Sequence, residues 1–212
     1  MAIEYRRELV DRLQFAAKIS TGNKVLDIGG QHPMNHDVKH PFGQSYRKIM
    51  ECAAVYNIFD RDPKPGVKYV GDLNTPRGRH LLSAALAEYR PRVVLCMEIL
   101  EHLSYPCEVM GILADYLRSE PGICLFITLP NNGNWVINAL NWHGDHSMAF
   151  FKTVAMRFIS RSPLGSANIV MRPCMQKYQW YWWIIYLAAF GQPINWGFII
   201  TASWGFGVSP RK

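Results

Sequence analysis

The spacing of apolar residues changes period several times along the chain. Over residues 4–19, Tyr5, Leu9, Leu13 and Ala16 or Ala17 fall near one face with charges between them, which predicts a helix. Ser20-Thr21-Gly22-Asn23 breaks that pattern, and Lys24 to Gly30 reads as a short apolar strand ending in an acid and two glycines. Residues 31–45 are rich in His, Pro, Asn and Gly and read as a loop, followed by a helix over Ser45 to Ala54. Strands are predicted at Val55 to Asp60 and Val67 to Asp72, and a helix over Leu81 to Tyr89 that stops before Pro91. A very apolar strand over Arg92 to Met97, a helix from Pro106 to Arg118, a Glu120-Pro121-Gly122 turn and a strand over Ile123 to Leu129 come next. Beyond Pro130 the pattern weakens. It leaves a helix over Ser147 to Ile159, a buried aromatic helix over Trp180 to Ala189 and a last strand over Trp196 to Ala202.

Strands alternating with helices predict an α/β fold: a doubly wound, mostly parallel sheet covered by helices on both faces. Ligands of such sheets bind beyond the carboxyl ends of the strands. That rule gives meaning to three successive strands that finish in Asp27, Asp60 and Asp72. Gly29 and Gly30 have no Cβ, so the backbone there can turn tightly and approach a ligand. A carboxylate at Asp60 can accept hydrogen bonds from a ribose diol, and Asp72 can accept from an adenine amino group. The competing reading is that these aspartates only cap turns and helices.

Composition narrows the class. The chain has 212 residues, 49% of them hydrophobic and 18% charged, which fits one folded domain. Its net charge of +7 favours anionic partners, but the basic residues form no long run. Cys52, Cys96, Cys107, Cys124 and Cys174 include no CxxC pair, and two lie in expected core strands, so a reducing cytoplasmic setting is expected. The N-terminus has no apolar signal core, and the apolar stretch from Trp180 to Phe190 is shorter than the roughly 20 residues that span a bilayer.

Taken together, the strand-end motifs resemble class I S-adenosylmethionine-dependent methyltransferases. Lys24-Val-Leu-Asp-Ile-Gly-Gly30 looks like their first motif, Phe59-Asp60-Arg61-Asp62 like their second-strand acid, and Tyr69-Val-Gly-Asp72-Leu73 like their third motif. Val93 to Pro106, with Glu98, Glu101 and His102 after an apolar strand, looks like the strand-four signature, and Gly122 to Pro130 like the fifth strand and its exit. The resemblance covers about residues 20–132. It implies a Rossmann-like, seven-stranded sheet and S-adenosylmethionine as cofactor. It also implies that Asp27, Gly29 and Gly30 line the methionine moiety and that Asp60 holds the ribose with Arg61 beside the adenine. Asp72 and Leu73 would then flank the adenine edge, and Cys96, Met97 and Glu98 would lie beneath the cofactor.

The chain departs from the family in the Gln31-His32 that follows Gly30, where a third small residue is usual, and in a long stretch between Gly30 and Asp60. A nicotinamide enzyme would want GxGxxG and helix amides near a pyrophosphate, and Gly-Gly-Gln-His-Pro-Met fits that poorly. His32, His36 and His40 are spaced for a metal only on a helix, which Pro33 and Pro41 oppose. A substrate-facing lid and a plain surface loop remain the readings of that segment, and no metal is expected. On the acceptor side, Asn131 to Trp135 belongs at the rim, and His143 or His146, oriented by Asp145, can take a proton from a hydroxyl or amine. Asp145 can equally be a helix cap. The aromatic cluster of Trp180, Tyr181, Trp182, Trp183 and Tyr186 fits core packing or a homodimer contact, an apolar acceptor or membrane surface, or base stacking. The expected function is methyl transfer to a small-molecule or glycan-like acceptor, with O-methylation preferred. The alternatives are a non-catalytic binding or assembly protein of the same fold, and an RNA methyltransferase.

Overall fold

The computed structural model describes residues 3–8, 10–30, 39, 41–130, 152–175 and 197–203. Their order is β1 (Glu4–Tyr5), β2 (Val10–Asp11), α1 (Arg12–Ser20), β3 (Lys24–Ile28), α2 (Pro41–Cys52), β4 (Val55–Asp60) and β5 (Val67–Val70). There follow α3 (Pro76–Tyr89), β6 (Val93–Met97), a short turn of helix at Leu100–His102, α4 (Pro106–Ser119), β7 (Cys124–Pro130), α5 (Lys152–Arg161), β8 (Asn168–Met175) and β9 (Gly197–Ser203).

One sheet joins the strands in the order β1-β8-β9-β7-β6-β3-β4-β5, with β2 also paired to β8. β3 to β7 are parallel, while β9 runs antiparallel to both β7 and β8. The doubly wound, mostly parallel architecture is as expected. The sheet has nine strands rather than seven because β1 and β2 add two-residue parallel pairings along β8.

Successive residues of a strand point to opposite faces, and here both faces are covered. Leu26, Ile28, Val94, Cys96, Leu125 and Ile127 pack in one apolar cluster with Leu82, Leu86, Val109 and Leu113 of α3 and α4. Val25, Val93, Leu95 and Phe126 pack in another with Leu13 and Ala16 of α1 and Tyr46 and Ile49 of α2. Asp27, between Leu26 and Ile28, therefore falls on the α1/α2 face.

The N-terminal segment corrects the sequence reading. It is not one helix over residues 4–19: α1 starts only at Arg12, where the Asp11 carboxylate accepts from Leu13 N (3.0 Å) and Gln14 N (2.9 Å). The residues before it satisfy their backbone by pairing with β8, a strand that contains Arg172 and Pro173 and that apolar patterning did not reveal. α2 begins at Pro41, inside the stretch read as loop, and α3 begins at Pro76, where Thr75 caps Gly78 N. The buried helix expected over Trp180 to Ala189 lies outside the described residues, as does the start of the helix expected from Ser147. Among the described residues no helix is long and apolar enough to cross a membrane.

Candidate functional site at the carboxyl ends of the parallel strands

The register brings most of the expected cofactor residues to one edge. Ile28 pairs with Phe59 on one side and Cys96 on the other, so Gly29, Asp60 and Met97 are the next residues out on three adjacent strands. Gly29 N donates to Phe59 O (2.8 Å) and Gly71 N to Asp60 O (2.9 Å), which extends that edge to the Gly71-Asp72 turn.

Each element of the edge has a local cause. Gly29 has φ +78, and a Cβ there would run into the Ile99 side chain. At Gly30 a Cβ would lie 2.6 Å from Asp27 Oδ2 and 3.2 Å from the Tyr46 hydroxyl, so this glycine makes room for a side-chain cluster of the protein itself. Asp60 Oδ1 accepts from Asp62 N (3.1 Å), and Asp72 Oδ1 accepts from Asn74 N (2.9 Å). Both aspartates thus cap turns through one oxygen, and Asp72 Oδ2 has no protein partner among the described residues. Gly78 lets the first turn of α3 pack against the backbone of Asp72, where a Cβ would collide.

Asp27 is 1% exposed. Tyr46 of α2 and Tyr56 of β4 both donate their hydroxyl hydrogens to its Oδ2, while Oδ1 is buried and without a hydrogen-bond partner among the described residues. Burial pushes the carboxyl up to about 7, against the pull of the two hydroxyls and with a further push from the Asp60 charge.

Glu98, just past β6, has φ +53, a left-handed conformation uncommon outside glycine. Its carboxylate pairs with Arg12 Nη1 (3.0 Å) and accepts from Thr128 Oγ1 (2.8 Å). Glu101 is wholly buried next to it, and burial with the Glu98 charge raises its carboxyl well above the usual range. Cys96 is fully buried, and burial pushes its thiol up. Leu73 is 6% exposed within the larger apolar cluster, whereas Arg61 is exposed and 3.6 Å from Asp62.

His143, Asp145, His146, the Asn131 to Trp135 segment, His32, His36, His40 and the aromatic cluster from Trp180 to Tyr186 lie outside the described residues. Sequence reasoning missed Arg12, Tyr46, Tyr56 and Thr128. The one available signal was polar character on faces that should have been apolar, as at Tyr56 and Thr128 within strands.

A family model described as a methyltransferase domain matches residues 1–167. The chain belongs to this methyltransferase family. The fold agrees with the S-adenosylmethionine-dependent methyltransferase from Archaeoglobus fulgidus, with TM-score 0.54 and 11% identity over 92% of this chain and 95% of that one. It also agrees with one from Mesorhizobium loti, with TM-score 0.52 and 10% identity over 90% of this chain and 94% of that one. The small RNA methyltransferase HEN1 matches with TM-score 0.52 and 12% identity over 95% of this chain, which spans 26% of the HEN1 chain. At these identities the likeness is one of fold. No curated protein matches the sequence.

Proposed function

We propose that this member of the methyltransferase family binds S-adenosylmethionine at the carboxyl edge of β3, β4, β5 and β6 and transfers its methyl group to a small-molecule or glycan-like acceptor, at oxygen in preference to nitrogen. The observation that carries the reading is Asp27: a buried carboxyl with one oxygen unpartnered, near the carboxyl end of β3, beside the Gly29 turn and within reach of the charge of Asp60. An orphaned buried acceptor calls for a donor. S-adenosylmethionine offers an ammonium group and a ribose diol, which suit Asp27 and Asp60, and an adenine amino group, which suits the Asp72 edge. When bound, it supplies an electrophilic methyl on a sulfonium.

The protein's own residues would then bind and orient. Asp60 and Asp72 are fixed by the turns they cap, and the second oxygen of Asp72 is thereby aimed without further loss of side-chain freedom. Methyl transfer from a sulfonium depends chiefly on proximity and alignment. The preference for a hydroxyl rests on the sequence of the His143-Gly144-Asp145-His146 segment, where an imidazole near neutral pH can accept a proton.

Titration calorimetry with S-adenosylmethionine and S-adenosylhomocysteine tests the reading. Binding in the micromolar range, weakened at least tenfold by Asp60→Ala, supports it. Absence of binding to either ligand overturns it in favour of a binding or assembly role for the fold. Labelled methyl transfer across hydroxylated and amino acceptors then decides the atom. Strongly salt-dependent RNA binding would instead favour a nucleic-acid acceptor.

A further inference from the structure

The tyrosines around Asp27 are more than packing. A carboxylate has acceptor sites on both oxygens, yet both hydroxyls go to Oδ2 and none to Oδ1. The cluster is assembled from three elements: Asp27 on β3, Tyr46 on α2 and Tyr56 on β4. Gly30 is held bare of a side chain by the same contact, since a Cβ would crowd Oδ2 and the Tyr46 hydroxyl. The charges acting on this cluster are Asp60 from β4 and Arg12 from α1, which acts on Tyr46; the Asp27 charge in turn raises the Cys96 thiol of β6. No cation is paired with Asp27 among the described residues. A buried acceptor with this bias is best satisfied by a charged N–H donor, which also offsets the burial of the carboxylate.

We propose that Tyr46 and Tyr56 are positioning residues that occupy Oδ2 of Asp27 and thereby present Oδ1 to the α-ammonium group of the bound cofactor. This rests on the cofactor reading above and adds a proton linkage to it. The ammonium needs the ionised carboxylate, so binding below about pH 7 expels a proton from Asp27. The hydroxyls favour the ionised form, and their removal moves the transition to higher pH.

The test is calorimetry of the full chain with S-adenosylhomocysteine and with its analogue lacking the amino group, at pH 5.5, 6.5 and 7.5. An α-amino group stays mostly protonated over that range. Wild-type affinity for S-adenosylhomocysteine should rise about eightfold from pH 5.5 to 6.5 and about threefold more by pH 7.5, with proton release. The analogue should show no such rise. Tyr46→Phe and Tyr56→Phe should shift the rise to higher pH and weaken S-adenosylhomocysteine at pH 7.5 by about tenfold more than the analogue. Binding of the analogue also reports that each variant is folded. A flat wild-type profile, or equal weakening of both ligands in the variants, overturns the role of the tyrosines and leaves the cofactor reading standing. If neither ligand binds the wild type at any pH, the cofactor reading falls and the proposal with it.

Discussion

Thr128 clips Glu98 from the neighbouring strand: its hydroxyl donates to Glu98 Oε1 (2.8 Å) and accepts from Glu98 N (3.1 Å). The clip holds a residue with φ +53, at the point where β6 leaves the sheet. The same carboxylate takes the Arg12 guanidinium, so β6, β7 and α1 meet on one side chain. Strained backbone of this kind persists only where its surroundings enforce it.

Thr128→Val keeps the shape of the side chain and removes both bonds. Stability to urea should fall by about 1–2 kcal/mol, with Thr128→Ser retaining most of it. S-adenosylhomocysteine affinity should fall in parallel, because Glu98 sits at the end of β6, on the edge proposed to hold the cofactor. A Val variant with wild-type stability would show that the Arg12 pair alone enforces the conformation.

Gly29→Ala meets two obstacles, the positive φ and the Ile99 side chain. Strain of about 1–2 kcal/mol and overpacking of about 1–3 kcal/mol should together give a loss of about 2–5 kcal/mol. In a double-mutant cycle, Ile99→Ala should recover the overpacking part and leave the strain. Full additivity of the two substitutions would mean that the Ile99 contact does not matter.

Asp27 also makes stability depend on pH. Its carboxyl, normally near 3.8, is raised to about 7 in the folded chain, so between those values the folded state holds more protons than the unfolded one. Stability therefore declines as pH rises through that window and levels off above about 7. The shift corresponds to a decline on the order of 4 kcal/mol. Glu101, raised for similar reasons, acts in the same direction, so the contribution of Asp27 is read from the difference between wild type and Asp27→Asn. Urea midpoints at pH 5 and pH 7.5 should drop less in the variant. An identical drop in both proteins would mean that Asp27 ionises normally in the fold.

The strand ends were legible because their chemistry is local. Asp27, Asp60 and Asp72 each close an apolar run, and a parallel sheet puts such residues on one edge. Tyr46 and Tyr56 were not legible: Tyr46 reads as an ordinary apolar position of α2, and only the pairing of β3 with β4 brings Tyr56 to Asp27. The N-terminal helix was overextended because Tyr5 and Leu9 fit its period, while the partner that draws residues 4–5 and 10–11 into strands, β8, is distant in sequence. β8 escaped notice because Arg172 and Pro173 interrupt its apolar run, although both are buried in the folded sheet. Leu73, expected at an adenine edge, packs in the larger apolar cluster next to the turn that Asp72 caps.

The position of β9 has a consequence for how the chain is made. Among the described residues, β8 pairs with the rest of the sheet only through β9, and β1 and β2 only through β8. Strands near the start of the chain therefore join the main sheet by this route only once residues 197–203 have left the ribosome. Until then β7 presents a bare hydrogen-bonding edge, the kind of surface that recruits stray strands. A polypeptide cut short before residue 197 would forfeit a whole flank of the sheet rather than a single terminal strand.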